Sequence, residues 1–551
     1  MTGVDVVVLG RIATLAGNAG FGWADGLAIA GGRVIATGAR DDIERMAGPT
    51  TARIELAPHE VAIPGLTDSH LHLADTALAA ERVDVADAES LDDALALVRA
   101  ADARLGPEAW LEGKGWDADR WNGWPTAGEL EAAAPGRRVA LWAHDHHAMW
   151  ASAAALSAAA VTRDTADPPG GVVRRDGDGT PTGILHERAA RLVTAHLPLA
   201  DADATARAVA ALEPELIRLG VVALHDPGGL SLDPTLDRAI AAYIRLAGRG
   251  ELRIRVHACI RPEQLDSAID AGFRSGQPMG EAAGDDAIVR AGWLKTFADG
   301  TLGSRTAALL DPLDPLPGEP PPPNDGFGVW MTEPEELRRQ AARAAAAGIA
   351  TTIHAIGDAA VRAALDALAP TVGRTPLSPR LEHVQLLATS DMPRFAREGI
   401  AASVQPVHVR SDAAKARRLW GDRAEARGYP FASLAATGAL VCFGTDSPVE
   451  PIDPWPGLAC AVTRAAPTWP EGTAPFGPAE AMTLDRALRA QCVDPALSAG
   501  ERDRGRLIAG HRADLAVVPA TALREPVEVG GALWNARPRL VLVGGRVAFE
   551  A

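Results

Sequence analysis

Six side chains that could bind a metal or carry a proton stand at or near the ends of apolar runs: His70, His72, Lys295, His354, His383 and Asp446. The first two occur in 64-PGLTDSHLHL-73, on either side of one leucine. On an extended backbone residues i and i+2 point to the same face, so both imidazoles would converge on one spot, a geometry that suits a metal ion. Taken alone, the HxH reads equally well as two surface histidines in a loop; further ligands at other strand ends decide the matter. Imidazole and carboxylate oxygen are good zinc ligands, and a catalytic site leaves one position open for water. A single histidine on an apolar strand is usually a satisfied core residue. Four histidines and an aspartate at corresponding ends of four strands are much harder to explain that way.

The elements that must position these groups alternate apolar strands with alanine-rich helical stretches, the pattern of βα repeats and a parallel sheet. Strand candidates are 60–70, 220–226, 252–260, 291–299, 349–355, 380–385, 400–406 and 439–446. Eight is the number a (β/α)8 TIM-like barrel requires, and such barrels carry their active sites at the C-terminal ends of the strands. The first sixty residues and the last fifty read as short β-segments with glycine pairs, Gly31–Gly32 and Gly544–Gly545, at hairpin turns. The α/β chain is therefore expected to hold a composite β-sandwich domain from 1–60 plus 500–551 and a barrel over 61–499, with a large insertion at about 75–215 after the first barrel strand. The insertion has its own apolar strand, 138-RVALWAHDHH-147, and tryptophans at 110, 116, 121, 124, 142 and 150. Segment 311–328 holds seven prolines between 312 and 323, so it is neither helix nor central strand. It reads as a semi-rigid spacer or as a lid beside the site.

Composition excludes several classes of function. Fifty-four basic against 71 acidic residues leave a net charge of −17 in 551 residues, with no basic cluster to follow a phosphate backbone, so nucleic acid is not an expected partner. The N-terminus has no basic n-region and reads as a strand. No apolar run approaches the ~20 residues of a membrane helix, so no membrane partner is expected either. Four scattered cysteines, Cys259, Cys442, Cys460 and Cys492, fit a reducing cytoplasm better than a disulfide framework. A dehydrogenase is disfavoured because no GxGxxG stands between a first strand and a helix.

With these residues in view, the chain resembles the amidohydrolase superfamily of metal-dependent hydrolases, in the branch typified by N-substituted formamide deformylase. The resemblance rests on 64-PGLTDSHLHL-73, 110-WLEGKGWDADRW-121, 182-TGILHERA-189, 295-KTFADGTLGSRTAAL-309, 354-HAIGDAA-360, 381-LEHVQL-386, 403-SVQPVH-408 and 444-GTDSPV-449. It implies a barrel with a β-sandwich made from both termini. It also implies that His70 and His72 bind the more buried metal, that Asp446 contacts the same metal and carries protons, and that His354 and His383 bind a second. Lys295 would bridge the two as a carbamate. Spacing alone shows only a lysine inside 291-AGWLKTFAD-299, with pairing to a neighbour such as Asp299 as the alternative to a carbamate, so one Zn2+ or two both fit, and Fe or Mn suits similar ligands.

The expected chemistry is cleavage of a C–N bond in a small-molecule amide. A metal lowers the pKa of bound water from 15.7 to about 7 and polarises the carbonyl. Asp446, driven out of the apolar run 439-ALVCFGTD-446, takes the water's proton and passes it to the departing amine. Substrate contacts are expected from His147, Glu187, His225, Arg305, Gln405 and Trp116, with His257 and His408 as weaker candidates. In 144-HDHHAMWASAAAL-156 the chain departs from the family's Asp-Gly-His and Asn-Ser, carrying His146 and Ser152–Ala153 instead. His144 and His146 share a strand face and suit a pocket wall or an extra metal site. Alternatives are a cyclic amidohydrolase or deaminase on the same barrel, or a non-catalytic metal-binding protein. A homo-oligomer is compatible with all of them.

Overall fold

Strands buried on both faces read as near-continuous apolar runs, and this is the signature of a parallel sheet covered by helices. In the computed structural model eight such strands pair side by side: β1 Leu66–Asp68, β2 Val221–Asp226, β3 Arg255–Ile260, β4 Val289–Phe297, β5 Thr351–Ala355, β6 Arg380–His383, β7 Ala401–Val404 and β8 Val441–Phe443. Every pairing is parallel. The Ser69 N–H, just past the end of β1, donates to the carbonyl of Phe443, the last residue of β8, at 2.9 Å, so the sheet nearly closes on itself. The fold is an α/β barrel of the TIM type. Helices such as Leu236–Gly248, Pro334–Ala346, Asp358–Leu368 and Leu484–Ser498 fall between or after the strands. Pro334 opens its helix where a missing N–H is harmless, and Glu335 and Glu336 favour the positive end of the helix dipole. The structure describes residues 3–80, 82–106, 108–118, 120–121, 123–144, 148–168, 171–198, 200–229, 236–280, 286–315 and 322–551.

The run 60–70, expected as one barrel strand, is two. Glu60–Pro64 lies antiparallel to Leu515–Pro519 in the sheet built from the termini, and only Leu66–Asp68 enters the barrel. The switch falls at Gly65, whose N–H bonds Asp514, while the next N–H, of Leu66, bonds Gly220 on the barrel side. A Cβ at Gly65 would lie 2.5 Å from a methyl of Val222, so only glycine lets the chain cross there. Strands of both termini join in one eight-stranded hydrogen-bonded sheet, in the order Arg546–Glu550, Leu540–Val543, Leu515–Pro519, Glu60–Pro64, Val6–Ala13, Trp23–Ala30 and Arg33–Gly38, with Ala52–Glu55 also on Val6–Ala13. Residues from both halves share one apolar cluster, including Val8, Ile29, Leu515 and Leu540. Strand pairing thus joins the two termini in one continuous sheet around that shared cluster.

The chain divides into two compact units, 1–73 with 210–551, and 74–209. The second holds a six-stranded sheet ordered Gly171–Arg175, Pro181–Glu187, Ala148–Ala151, Val139–Ala143, Leu111–Trp116, Val83–Asp84. Its tryptophans build its own core. Trp116 and Trp150 are fully buried, the Trp116 indole N–H donates to the Leu141 carbonyl at 2.8 Å, and Trp121 packs against the same cluster. Burying large rings in a small unit is what stabilises it. The proline-rich segment is fastened at both described ends: Leu313 N–H bonds Gly326, and Arg423 donates to the carbonyls of Asp311 and Pro312. Its residues 316–321 lie outside the described residues.

Candidate metal centre

The site is built around the barrel seam. Asp68, at the end of β1, accepts from the hydroxyl of Thr445 at 2.7 Å and from the backbone N–H groups of Thr445 and His70, both at 3.1 Å. Asp446 N–H then donates to the His70 carbonyl at 2.7 Å, and His72 N–H to the Ser447 carbonyl at 3.0 Å. A Cβ at Gly444 would stand 2.6 Å from the His70 nitrogen, so the seam closes this tightly only because residue 444 has none. The two histidines sit past the end of β1, in non-strand backbone, yet their Nε2 atoms converge: each lies 3.3 Å from Asp446 Oδ1.

His383 joins them through unusual backbone. Alternation along β6 places Arg380 and Glu382 on one face, but His383 has φ of +76° and brings its ring to 5.1 Å from that of His70 and 4.5 Å from that of His354. Asp446 has φ of +61°. Non-glycine residues in this region cost on the order of 1–3 kcal/mol each and persist where the surroundings over-determine them. Donor atoms of His70, His383 and Asp446 all lie within 4.8 Å of one another, and all three residues are buried. His354 Nε2 is 3.0 Å from the Gly300 carbonyl oxygen.

Lys295 is 1% exposed and its Nζ has no hydrogen-bond partner among the described residues. The pairing with Asp299 is not made: that carboxylate accepts instead from the N–H groups of Ala308, Ile356 and Gly357, at 2.8, 3.0 and 2.9 Å. Burial lowers the Lys295 amine to about 8, with Glu382 pulling the other way. Burial likewise lowers His70 to about 4 and His354 to about 3, and it pushes His383 well below the ordinary histidine range. All three rings are therefore neutral near pH 7, the form that ligates a cation. Burial alone would raise the Asp446 carboxyl, but His70, His408 and His72 outweigh it and keep it ionised. Neutral imidazoles, a carboxylate and an orphaned buried amine form a donor set that fits a divalent metal.

The remaining expected contacts are scattered. Gln405 follows β7, buried, with neither amide atom partnered among the described residues. Arg305 is half-buried in the loop after β4, at φ +60°. His225 is wholly buried, its Nδ1 accepting from Arg380 at 2.8 Å and its ring 5.1 Å from Trp293. Glu187 is exposed at the end of an insertion strand, and Trp116 lies in the insertion core with its N–H satisfied, a place that offers substrate no surface. His146 and His147 lie outside the described residues. The sequence reading passed over Glu382, whose Oε2 is 2.6 Å from His70 Nδ1, and it underrated His408, whose Nε2 is 3.2 Å from Asp446 Oδ2. A charged pair inside the four-residue strand RLEH was the available signal, because a buried charge demands a partner.

A parallel barrel with histidines, a lysine and an aspartate gathered where its strands end defines a metal-dependent hydrolase. The chain matches the amidohydrolase family over residues 60–549 and belongs to it, so it is a hydrolase acting on C–N bonds. It is 30% identical to the YtcJ amidohydrolase of Bacillus subtilis (strain 168) over 512 residues, 92% of either chain. It is 27% identical to the N-substituted formamide deformylase of Arthrobacter pascens over 543 residues, 96% of this chain and 95% of that one. Among solved structures, an uncharacterized metal-dependent hydrolase of Pyrococcus horikoshii OT3 matches with a TM-score of 0.75 and 27% identity, covering 95% of this chain and 98% of that chain. The family read from the motifs is thereby borne out. Among the described residues, no helix is long and apolar enough to cross a membrane.

Proposed function

We propose that this protein hydrolyses an N-substituted amide, an N-formyl or N-acyl amine, to a carboxylate and an amine. The observation that carries the reading is Asp446 Oδ1 standing 3.3 Å from both His70 and His72, an ionised carboxylate beside two imidazole nitrogens. Likeness to a formamide deformylase over nearly the full length supports the substrate class.

Zinc is the metal best suited to this donor set, with iron or manganese acceptable to the same ligands. His70, His72 and Asp446 would hold one ion; His354 and His383 would hold a second, with Lys295 joining the two as a carbamate. A divalent cation there supplies Lewis acidity, making water acidic near neutral pH and drawing electron density from a carbonyl. The chain's own residues do the rest. Asp446 takes the proton of the attacking water and returns it to the amide nitrogen as the C–N bond breaks, so that water is divided between carboxylate and amine. His408, hydrogen-bonded to Oδ2, keeps Oδ1 turned toward the ligand histidines. Gln405, with neither amide atom partnered among the described residues, supplies a donor and an acceptor for the substrate amide.

The test is a panel of N-formyl, N-acetyl and longer N-acyl amines and amino acids, with free amine measured before chelation, after it, and after zinc is restored. Release that stops on chelation and returns with zinc is expected. No release from any member overturns the substrate class and moves the assignment to cyclic amides or deamination.

A further inference from the structure

The two HxH histidines turn their Nδ1 atoms to different acceptors. His72 turns its Nδ1 to the Gly228 carbonyl, whereas His70 Nδ1 lies 2.6 Å from Glu382 Oε2. We propose that Arg380 and Glu382 are a positioning pair for the metal centre: Glu382 holds the ring proton of His70 on Nδ1, and Arg380 dictates which oxygen of Glu382 does so. The inference rests on His70 being a metal ligand, as argued above.

The geometry is over-determined. Arg380 and Glu382 are both 0% exposed. Glu382 Oε1 accepts from Arg380 Nε at 2.7 Å and from the hydroxyl of Thr352, which leaves Oε2 for His70 alone. An ionised carboxylate only accepts, so His70 Nδ1 must be the donor and its Nε2, beside Asp446, carries the lone pair. The other two arms of the guanidinium fix its place. Nη2 donates to the Ser69 carbonyl at 3.0 Å, directly ahead of His70, and Nη1 donates to His225 Nδ1 at 2.8 Å. The guanidinium lies 4.2 Å from the centre of the Trp293 ring. One side chain thus grips both the backbone entering His70 and the carboxylate that orients its ring. Buried ion pairs add little net stability, because desolvation offsets the attraction. Orientation of a ligand is the better account of this one, and such partners raise metal affinity by roughly ten- to a hundredfold.

The pinning of Oε1 makes a sharp test. In Glu382→Gln the single amide oxygen is still claimed by Arg380 and Thr352, so the amide nitrogen takes the place of Oε2 and donates to His70 Nδ1. The ring proton then moves to Nε2, where it blocks ligation. Zinc affinity, measured by competition with a chelator, is expected to fall by roughly ten- to a hundredfold. Histidine 15N shifts of the zinc-free protein are expected to show His70 passing from Nδ1–H to Nε2–H. Adding Arg380→Met releases the amide to turn its oxygen back to His70, so this double variant is expected to bind zinc more tightly than Glu382→Gln alone. Should the single variant not fold, the charge-neutral doubles still decide. Arg380→Met with Glu382→Gln keeps an acceptor for His70, Arg380→Met with Glu382→Leu does not, and the former is expected to bind zinc at least roughly tenfold more tightly. Equal affinity of those two doubles, or wild-type affinity in Glu382→Gln, overturns the inference while leaving the metal centre intact. A wild type that takes up no zinc, iron or manganese overturns the metal reading itself.

Discussion

Asp446 and His408 are hydrogen-bonded through Oδ2 and Nε2 at 3.2 Å. The bond divides the carboxylate into a fixed oxygen and a working one, Oδ1, which faces His70 and His72. Burial pulls the His408 ring down, but Asp446 and Glu450 outweigh it and hold it up at about 10. The ring is thus a cation that keeps Asp446 ionised and in place.

Replacing the working oxygen's charge should separate binding from turnover. Asp446→Asn is expected to retain metal and to lose roughly a hundredfold or more in kcat, the range of a lost general base. Metal content and kcat on the best amide of the panel measure both. Near-normal turnover in a metal-loaded variant removes Asp446 from proton transfer.

Lys295 should matter to metal stoichiometry. Its buried Nζ has no hydrogen-bond partner among the described residues, and its amine, lowered to about 8, is partly neutral near pH 7, the form that adds carbon dioxide. Lys295→Ala is expected to lower the metal bound per chain and to cut turnover by roughly tenfold or more, a small carboxylate such as propionate restoring part of both. Unchanged metal content in that variant would count against a bridging role.

Gly444→Ala tests the seam. The added Cβ would fall 2.6 Å from the His70 nitrogen and 2.7 Å from its Cβ, backbone and side chain that have no freedom to yield. A stability loss of about 1–3 kcal/mol is expected from such overpacking, together with weaker metal binding. Urea unfolding with and without zinc measures each. A variant as stable as the parent would show that the seam yields more readily than its hydrogen bonds suggest.

Acid should act at Glu501. Burial raises this carboxyl, but Arg504 and His257 outweigh it and bring it down to about 2, against an ordinary 4.5. A carboxyl lowered on folding stabilises the protein above its unfolded pKa and loses that contribution as pH falls through the folded one. The window runs from about pH 4.5 to about 2, and the contribution at neutral pH is on the order of 3 kcal/mol. Glu501→Gln is expected to be less stable at pH 7 and to show a flatter decline between pH 5 and 2.5. Parallel acid limbs for the two proteins would remove Glu501 from that role.

The barrel and the ring of side chains at its strand ends were legible because parallel strands are apolar runs that stop at a polar residue, and the stopping residues are the ones that converge. The crossing at Gly65 was hidden because 60-EVAIPGL-66 is one unbroken apolar run, and nothing local says that its halves bond to different sheets. His383 was legible as a candidate ligand from its place at the end of β6, but its positive φ was not, since it reflects tertiary demands on one residue. Arg380 and Glu382 were overlooked for a related reason: two residues apart on one strand they resemble a local ion pair, and only the closed barrel brings Ser69, His70 and His225 within their reach. Trp116 was misjudged in the opposite direction, because a large ring in an insertion serves a pocket or a core equally well on sequence alone.

The bond between Thr445 and Asp68 joins positions 377 residues apart in the chain. An ion shared by His70 and Asp446 would span that same join, so it would act as a removable cross-link between the first and last staves of the barrel. Closing so long a loop restricts the freedom of the opened chain in the way a covalent bridge does. Withdrawal of the ion should therefore do more than silence the enzyme. It should lower the barrier to prising the barrel open at that join, and the first sites to become open to a protease should be those flanking the ends of β1 and β8.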